Sequence, residues 1–210
     1  MSDLLSDAEF EMFRKVIYDE SGITFSGTNR SVLDSRIREL LRQKKVDSAA
    51  KYYALILQDK EEMKEMLDSV TTNLTHFFRT QPHFDALINY VVPHLIDYKK
   101  QHHSDVIRVW SAGCSTGEEP YTIAMILKTI LPPPFTFKIT ASDISLKSLM
   151  VGRLGFYADS RVDGIPPDYL AKYFTKSSGG YQVNQDIMDT INFDYHNLSH
   201  DSGKRDFDII

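Results

Sequence analysis

Apolar residues keep a helical spacing through the first hundred positions of the chain. Between Phe10 and Ile17 they follow one face of a helix, and Ser6 with Glu9 has the pattern of a capping box just before it. This helix is expected to end near Gly22. Further helices are predicted at about 28–45, 48–58, 60–71 and 82–100. In the first of these, the residues expected to face the core are Val32, Leu33, Ile37, Leu40 and Leu41. The first seventy or so residues are therefore expected to form an all-helical unit.

After residue 105 short apolar runs alternate with helical segments. Val106–Trp110 and Phe137–Ser142 predict buried strands, and Thr122–Leu127 predicts a helix between them. Thr190–Tyr195 has the pattern of the next parallel strand. This alternation predicts an α/β layer with a parallel sheet.

Glycine and proline interrupt the pattern between about 156 and 190, which indicates an insertion in the α/β unit. Within it, Tyr169–Phe174 predicts one or two helical turns. Gly180–Val183 and Ile187–Ile191 predict short strands. We therefore expect a small β-subdomain at about 156–190.

A turn of small residues follows the first strand and ends in Gly117-Glu118-Glu119. A phosphate-binding loop would end in Gly-Lys-Ser or Gly-Lys-Thr, and a dinucleotide turn needs three glycines, so neither pattern fits. An acidic turn suits a cationic ligand such as S-adenosylmethionine, which carries an ammonium and a sulfonium but no phosphate. Asp143, at the end of the second strand, can accept ribose hydroxyls.

The composition of the chain further restricts the class of protein. The 210 residues carry a net charge of −5, which argues against a nucleic-acid substrate. The single cysteine excludes an internal disulfide, and no spacing suggests a metal site. The start of the chain lacks a secretory pattern, and no apolar stretch approaches the roughly 20 residues of a membrane span. We expect a cytoplasmic enzyme without membrane insertion.

Three segments in fixed order carry a family resemblance. Ser111–Tyr121, with Asn73–Arg79 before it and Ala141–Ile144 after it, strongly resembles the CheR family of chemotaxis receptor methyltransferases. The resemblance implies an α+β protein: an all-helical N-terminal domain (1–71), a linking segment and helix (72–100), and a Rossmann-like α/β methyltransferase domain (101–210). It also implies transfer of a methyl group from S-adenosylmethionine to glutamate side chains of methyl-accepting chemoreceptors.

The resemblance also assigns site residues. The implied cofactor contacts are Asn73, Thr75, Arg79, Ala112, Gly113, Glu118, Asp143, Asn197 and Leu198. Glu118 is expected near the amino group of the cofactor, and Asn197 and Leu198 near its adenine. Arg79 is the expected catalytic residue, since its guanidinium can pair with the carboxylate of the cofactor or of the incoming glutamate. Without the resemblance, Thr72 or Asn73 would be interpreted as a helix cap and Asn197 as a turn former. Cys114 is expected to be a packing residue.

A cationic stripe lies on the predicted second helix. Arg38, Arg42 and Lys45 share one face, and Arg36 and Lys44 extend it. The resemblance favours contact with acidic receptor helices, while a solvated surface is the plain alternative. In the family the inserted subdomain can also dock a receptor's C-terminal tail peptide, and a structural flap is the alternative here.

The last residues, Arg205–Ile210, have the pattern of a strand that stops at Ile210. The C-terminal part of the sheet is therefore expected to be missing, with the family's Cys-Arg-Asn segment beyond it. Three functions stay open: a protein-glutamate O-methyltransferase, a methyltransferase of the same fold acting on another substrate, and a binding module that senses S-adenosylmethionine without catalysis.

Overall fold

The computed structural model describes residues 5–71 and 75–210. Asn73, one of the predicted cofactor contacts, lies outside these residues. By its internal contacts the chain divides into two compact units. One holds the described part of Met1–Thr72 together with Asn197–Asp201, and the other holds the described part of Asn73–His196 together with Ser202–Ile210.

The first unit is helical, as the spacing predicted. Its helices are α1 (Asp7–Ser21), α2 (Arg30–Lys44), α3 (Ala49–Gln58) and α4 (Lys60–Val70). The capping box forms, because the Ser6 side chain accepts from the N–H of Glu9 and the Glu9 carboxylate accepts from the N–H of Ser6. The Glu9 carboxylate also accepts from the Ser6 hydroxyl, and this bond, with the one from the Ser6 N–H, lowers the pKa of Glu9. Gly22 ends α1 in the left-handed conformation.

The core of this unit is built from the apolar faces of α1 to α4. Fully buried members include Phe13, Ile17, Leu33, Ile37, Tyr52 and Met66. Val32, which the helical spacing placed toward the core, is exposed. It lies at the edge of the apolar stripe of α2, one residue before the buried Leu33, where helical geometry turns its side chain outward.

The second unit contains a three-stranded parallel sheet in the order β1-β2-β6. Its strands are β1 (Val106–Ala112), β2 (Thr136–Asp143) and β6 (Ile191–Tyr195). An isolated parallel pairing of Ile209 with Val109 lies on the other side of β1. The carboxyl ends of β1 and β2 meet at one edge, where Ala112 is aligned with Ser142. Ligands bind at this edge in open α/β sheets.

Two helices, α7 (Glu118–Ile130) and α8 (Leu146–Leu154), pack against the parallel sheet. α7 follows β1, and its buried residues join those of the strands in one core that includes Ile107, Val109, Ala124, Leu127 and Ile139. α8 follows β2. The close packing of α8 on β6 requires glycine at position 152, since a Cβ there would come within 2.6 Å of Phe193.

The helix predicted over 82–100 is interrupted. α5 (Gln81–Ala86) and α6 (Val92–Gln101) are joined by a π-helical turn at Leu87–Val91. Pro93 has no N–H to donate, and Val92 donates to the carbonyl of Leu87, five residues back. The proline therefore explains why the helix widens at this point.

The insertion is an antiparallel sheet in the order β3-β5-β4. It consists of β3 (Phe156–Ala158), a 3-10 turn (Asp159–Arg161), α9 (Pro167–Tyr173), β4 (Phe174–Ser177), β5 (Gly180–Val183) and α10 (Gln185–Met188). The strand predicted at Ile187–Ile191 was wrong for residues 187–190. Ile187 lies in α10, where it is buried, and the strand β6 begins only at Ile191. Ile187 and Ile191 lie four residues apart, a spacing that suits a helix as well as a strand end.

In the part of the chain that the structure describes, none of the helices combines the length and the apolar character required to cross a bilayer.

Candidate active site

The turn between β1 and α7 is held in an unusual backbone conformation. Gly113 and Gly117 have φ of 84° and 94°, and Ser115 between them has φ of 49°. The N–H groups of Gly113 and Cys114 both donate to the carbonyl of Ser142 on β2, at 2.8 and 2.9 Å. A side chain at Gly113 would meet no atom within 4 Å, so its outer side is open. The turn thus presents bare backbone at the carboxyl edge of the sheet.

Asp143 fastens this turn to the end of β2. One carboxylate oxygen accepts from the N–H of Ser115 at 2.7 Å, and the other accepts from the N–H of Ser145 at 2.8 Å. The Ser115 hydroxyl is buried and has no hydrogen-bond partner among the described residues. A buried polar atom of this kind is normally satisfied, so it indicates a ligand or water at the turn.

The two acids at the start of α7 point in different directions. Glu118 is fully buried, where it pairs with Arg161 and accepts from the Thr116 hydroxyl at 2.7 Å. Glu119 is exposed, and its carboxylate accepts from the Ser111 hydroxyl at the end of β1 at 2.6 Å. Successive helical residues differ by about 100° in direction, so neighbouring acids cannot share one face. Glu119 is therefore the carboxylate that the start of α7 exposes to solvent.

Three of the residues that shape this turn were missed from the sequence: Glu119, Tyr157 and Arg161. The Tyr157 hydroxyl donates to the carbonyl of Thr116 at 2.7 Å. Burial, reinforced by the charge of Glu118, holds the pKa of Tyr157 well above its usual range, so this donor stays protonated. Tyr157 and Arg161 lie in the insertion more than forty residues from the turn, and no local pattern connects them to it.

Cys114 lies inside the same turn and is buried. Burial raises the pKa of its thiol, and the nearby Asp143 raises it further. Because the thiolate is the nucleophilic form, the environment of Cys114 suits packing rather than covalent chemistry.

The segment that carries Arg79 is anchored by the residues before it. Phe77 is buried with its ring edge-on to those of Tyr157 and Phe174, at centroid distances of 4.9 and 5.6 Å. The N–H of Phe78 donates to the hydroxyl of Thr122 on α7 at 3.2 Å. Arg79 itself is exposed and Thr75 is half-buried. These contacts tie the Arg79 segment to the helix that begins at the acidic turn.

The predicted adenine contacts belong to the first unit. The Asn197 amide donates to the carbonyl of Glu20 at 2.6 Å and accepts from the N–H of Ser199 at 3.0 Å. Leu198 beside it is exposed. The Ser199 contact is a side-chain turn of the kind that asparagine commonly forms, and the adenine role stays a prediction.

The basic face of α2 is also in the first unit. Arg36, Arg42 and Lys45 are exposed, whereas Arg38 is half-buried and donates to the carbonyl of Asp34 at 3.3 Å. Arg42 pairs with Glu39 on the same helix. The prediction that Lys44 extends this face was wrong, because its position on α2 directs its side chain toward Glu62 and Glu65 of α4. Its hydrogen bonds to these carboxylates raise the pKa of Lys44.

The second unit defines a class of protein. Its parallel sheet carries, at the carboxyl ends of two neighbouring strands, a glycine turn, an exposed carboxylate and a buried unpartnered hydroxyl. The exposed carboxylate of Glu119 can pair with the ammonium of an amino-acid moiety, and the carboxylate of Asp143 at the end of β2 can accept hydrogen bonds from a ribose. These residues fit S-adenosylmethionine, and the arrangement is that of a Rossmann-like methyltransferase.

Comparison with known proteins gives the family. Residues 73–210 match the family model described as the CheR methyltransferase S-adenosylmethionine-binding domain, and residues 8–71 match the CheR methyltransferase all-alpha domain. The chain belongs to the CheR methyltransferase family, and its cofactor is S-adenosylmethionine.

Curated relatives carry the same description. The chain is 34% identical to a chemotaxis protein methyltransferase of Borreliella burgdorferi over 90% of its own length and 69% of that protein. It is 33% and 34% identical to the chemotaxis protein methyltransferases of Salmonella typhimurium and Escherichia coli, over 92% of its length and 67% of theirs. These names favour a methyltransferase over a binding module without catalysis.

Proposed function

We propose that this protein transfers the methyl group of S-adenosylmethionine to glutamate carboxylates of chemoreceptors, forming methyl esters. The observation that carries the proposal is the open, acidic turn between β1 and α7, where Glu119 is exposed and the Ser115 hydroxyl is buried without a partner. The family and the names of its curated relatives support a chemotaxis substrate.

Each group at the turn has a task in holding the cofactor. Glu119 is suited to pair with the ammonium, and the Ser115 hydroxyl to gain the hydrogen bond that it lacks. Asp143 uses one lone pair of each oxygen on backbone N–H groups and keeps others for ribose hydroxyls. The exposed Ala112 and the open side of Gly113 leave room for the ligand to approach the main chain. Because Glu118 is fully buried and paired with Arg161, we assign the ammonium to Glu119 instead and give Glu118 an indirect role from inside the turn. Thr75, Arg79, Asn197 and Leu198 stay predicted contacts.

The reaction needs alignment rather than acid–base catalysis. When bound, S-adenosylmethionine supplies an electrophilic methyl group on a sulfonium. A glutamate side chain has a reference pKa of about 4.3, so it is already a carboxylate near neutral pH and needs no general base. In this proposal Arg79 orients a carboxylate through a bidentate pair. Alignment of this kind contributes on the order of 7–11 kcal/mol in well-oriented models.

The substrate surface that we propose is the basic face of α2. Its exposed cations Arg36, Arg42 and Lys45, with the half-buried Arg38, suit the acidic methylation helices of a receptor in the cytoplasm. A tail peptide of the receptor could add to the exposed edge strand β4 of the insertion. Methylation of one receptor with and without its tail tests this second contact.

The chemistry is tested with S-adenosylmethionine labelled in its methyl group and a chemoreceptor cytoplasmic fragment. Esters of glutamate release labelled methanol in base, whereas methylated nitrogen keeps its label. We expect base-labile label on the receptor, lost when the receptor's methylated glutamates are replaced by alanine. Label that withstands base, or label that remains on the alanine receptor, would refute glutamate O-methylation.

The basic face is tested by neutralising Arg36, Arg42 and Lys45 together. A matched control neutralises Lys15, Lys51 and Lys60, which are exposed on α1, α3 and α4. We expect the first variant alone to raise the KM for receptor and weaken its salt dependence, because screening acts on attraction between exposed charges. Equal KM values at low salt in both variants would leave the face as ordinary solvated surface.

A further inference from the structure

One side chain of the insertion reaches into the cofactor turn. Arg161 ends the 3-10 turn that follows β3, yet its guanidinium bonds to two residues of the β1–α7 turn. It donates to the Thr116 hydroxyl at 2.8 Å and pairs with the Glu118 carboxylate. The partners lie 45 and 43 residues earlier in the chain.

The two members of this pair differ sharply in exposure. The Glu118 side chain has 0% of its surface exposed, whereas that of Arg161 has 41%. A carboxylate without water depends on its partner for charge neutralisation, whereas an exposed guanidinium retains contact with solvent. Glu118 therefore depends on Arg161 far more than Arg161 depends on Glu118.

We propose that Arg161 is a positioning residue for the cofactor, which acts through Glu118 and Thr116 to hold the β1–α7 turn in its binding conformation. This inference rests on the proposed function of the turn, and it makes the insertion part of the cofactor site.

The geometry gives the route from Arg161 to the cofactor. The Thr116–Glu118 stretch is clamped from the insertion by Arg161 and by the Tyr157 hydroxyl. On the other side, Asp143 clamps the N–H of Ser115. Glu119, the exposed acid, is the next residue after Glu118 on the same helical turn. If Glu118 must leave the interior to find water, the start of α7 shifts and Glu119 moves with it.

The test uses four variants of the whole chain: Arg161→Gln, Arg161→Lys, Arg161→Gln combined with Glu118→Gln, and Lys172→Gln. Lys172 is an exposed cation of the insertion whose contact is the ring of Tyr173, so its variant controls for loss of surface charge. Affinity for S-adenosylhomocysteine is measured by calorimetric titration beside a thermal melt. Methyl transfer gives the KM for S-adenosylmethionine and kcat separately.

We expect Arg161→Gln to raise the Kd and the KM for cofactor about tenfold to 100-fold, the size of a lost charged hydrogen bond, while kcat at saturation stays within about threefold. Arg161→Lys should recover much of the affinity, because it retains the charge. The double variant should bind about tenfold tighter than Arg161→Gln alone, since no buried carboxylate is left unpaired.

The outcomes separate this inference from the proposed function. Failure of the parent chain to bind S-adenosylhomocysteine would count against the proposed site itself. If the parent binds and Arg161→Gln binds equally well, the positioning role is wrong. It is also wrong if the double variant binds more weakly than Arg161→Gln, because Glu118 would then contact the cofactor directly. The thermal melt is the control for misfolding: a double variant with the melting temperature of the parent shows that a change in its affinity is not caused by unfolding.

Discussion

Glutamine at either end of the Arg161–Glu118 pair is expected to destabilise the second unit by unequal amounts. Arg161→Gln leaves a carboxylate with 0% exposure and no counter-charge, which costs about 3–5 kcal/mol. Glu118→Gln leaves a guanidinium that is 41% exposed and that water can solvate, so its cost is about 1 kcal/mol. The expected difference between the variants is therefore about 2–4 kcal/mol.

Urea unfolding followed by tryptophan fluorescence measures this difference. The chain has a single tryptophan, Trp110, which lies on β1 and bonds to the Ser142 hydroxyl at 2.8 Å, so its emission reports on the second unit. With a slope of about 2 kcal/mol per molar urea, the midpoints should differ by about 1–2 M. Equal midpoints in the two variants, or a larger loss in Glu118→Gln, would refute the reasoning from burial.

Three further predictions concern single residues. Arg79→Lys should lower single-turnover methyl transfer at saturating cofactor about 30-fold to 1000-fold with an unchanged melt, because lysine lacks the bidentate fork; a rate within about threefold would remove Arg79 from the chemistry. Tyr52→Phe should raise stability by about 1 kcal/mol in urea melts, since the buried Tyr52 hydroxyl has no partner among the described residues. Burial raises the pKa of Tyr52 in the folded protein. The parent should therefore lose stability as the pH rises above the unfolded pKa of about 10, because the unfolded chain then releases the tyrosine proton more readily than the folded one. Tyr52→Phe should lose less stability over the same pH range, and equal losses would contradict this. Gly113→Ala should weaken S-adenosylhomocysteine about tenfold in a calorimetric titration, because φ is 84° and its methyl would occupy the open side, whereas Gly27→Ala should not.

Local patterns predicted most of the elements. The capping box of α1, the left-handed Gly22 and the strand, turn and helix around Gly113 all follow from neighbouring residues in the sequence. The strand end at Ile187 was wrong because a spacing of four suits two kinds of structure.

The interior of the site could not be predicted in this way. Glu118 and Glu119 are adjacent and chemically identical, and only the direction of the helix axis decides which is buried. Arg161 and Tyr157 reach the turn through the fold of the insertion, more than forty residues away. A sequence pattern records composition at a turn, while the partner of a buried charge depends on tertiary packing.

The central claim is that the cofactor binds on the open side of the β1–α7 turn, with its ammonium at Glu119. Calorimetric titration of the parent and of Glu119→Gln with S-adenosylhomocysteine tests it most directly, since Glu119 is exposed and its replacement should spare folding. Glu11→Gln, an exposed acid of α1, is the control. The account predicts a Kd about 10-fold to 100-fold higher for Glu119→Gln and an unchanged Kd for the control. Equal Kd values for the parent and Glu119→Gln would contradict it.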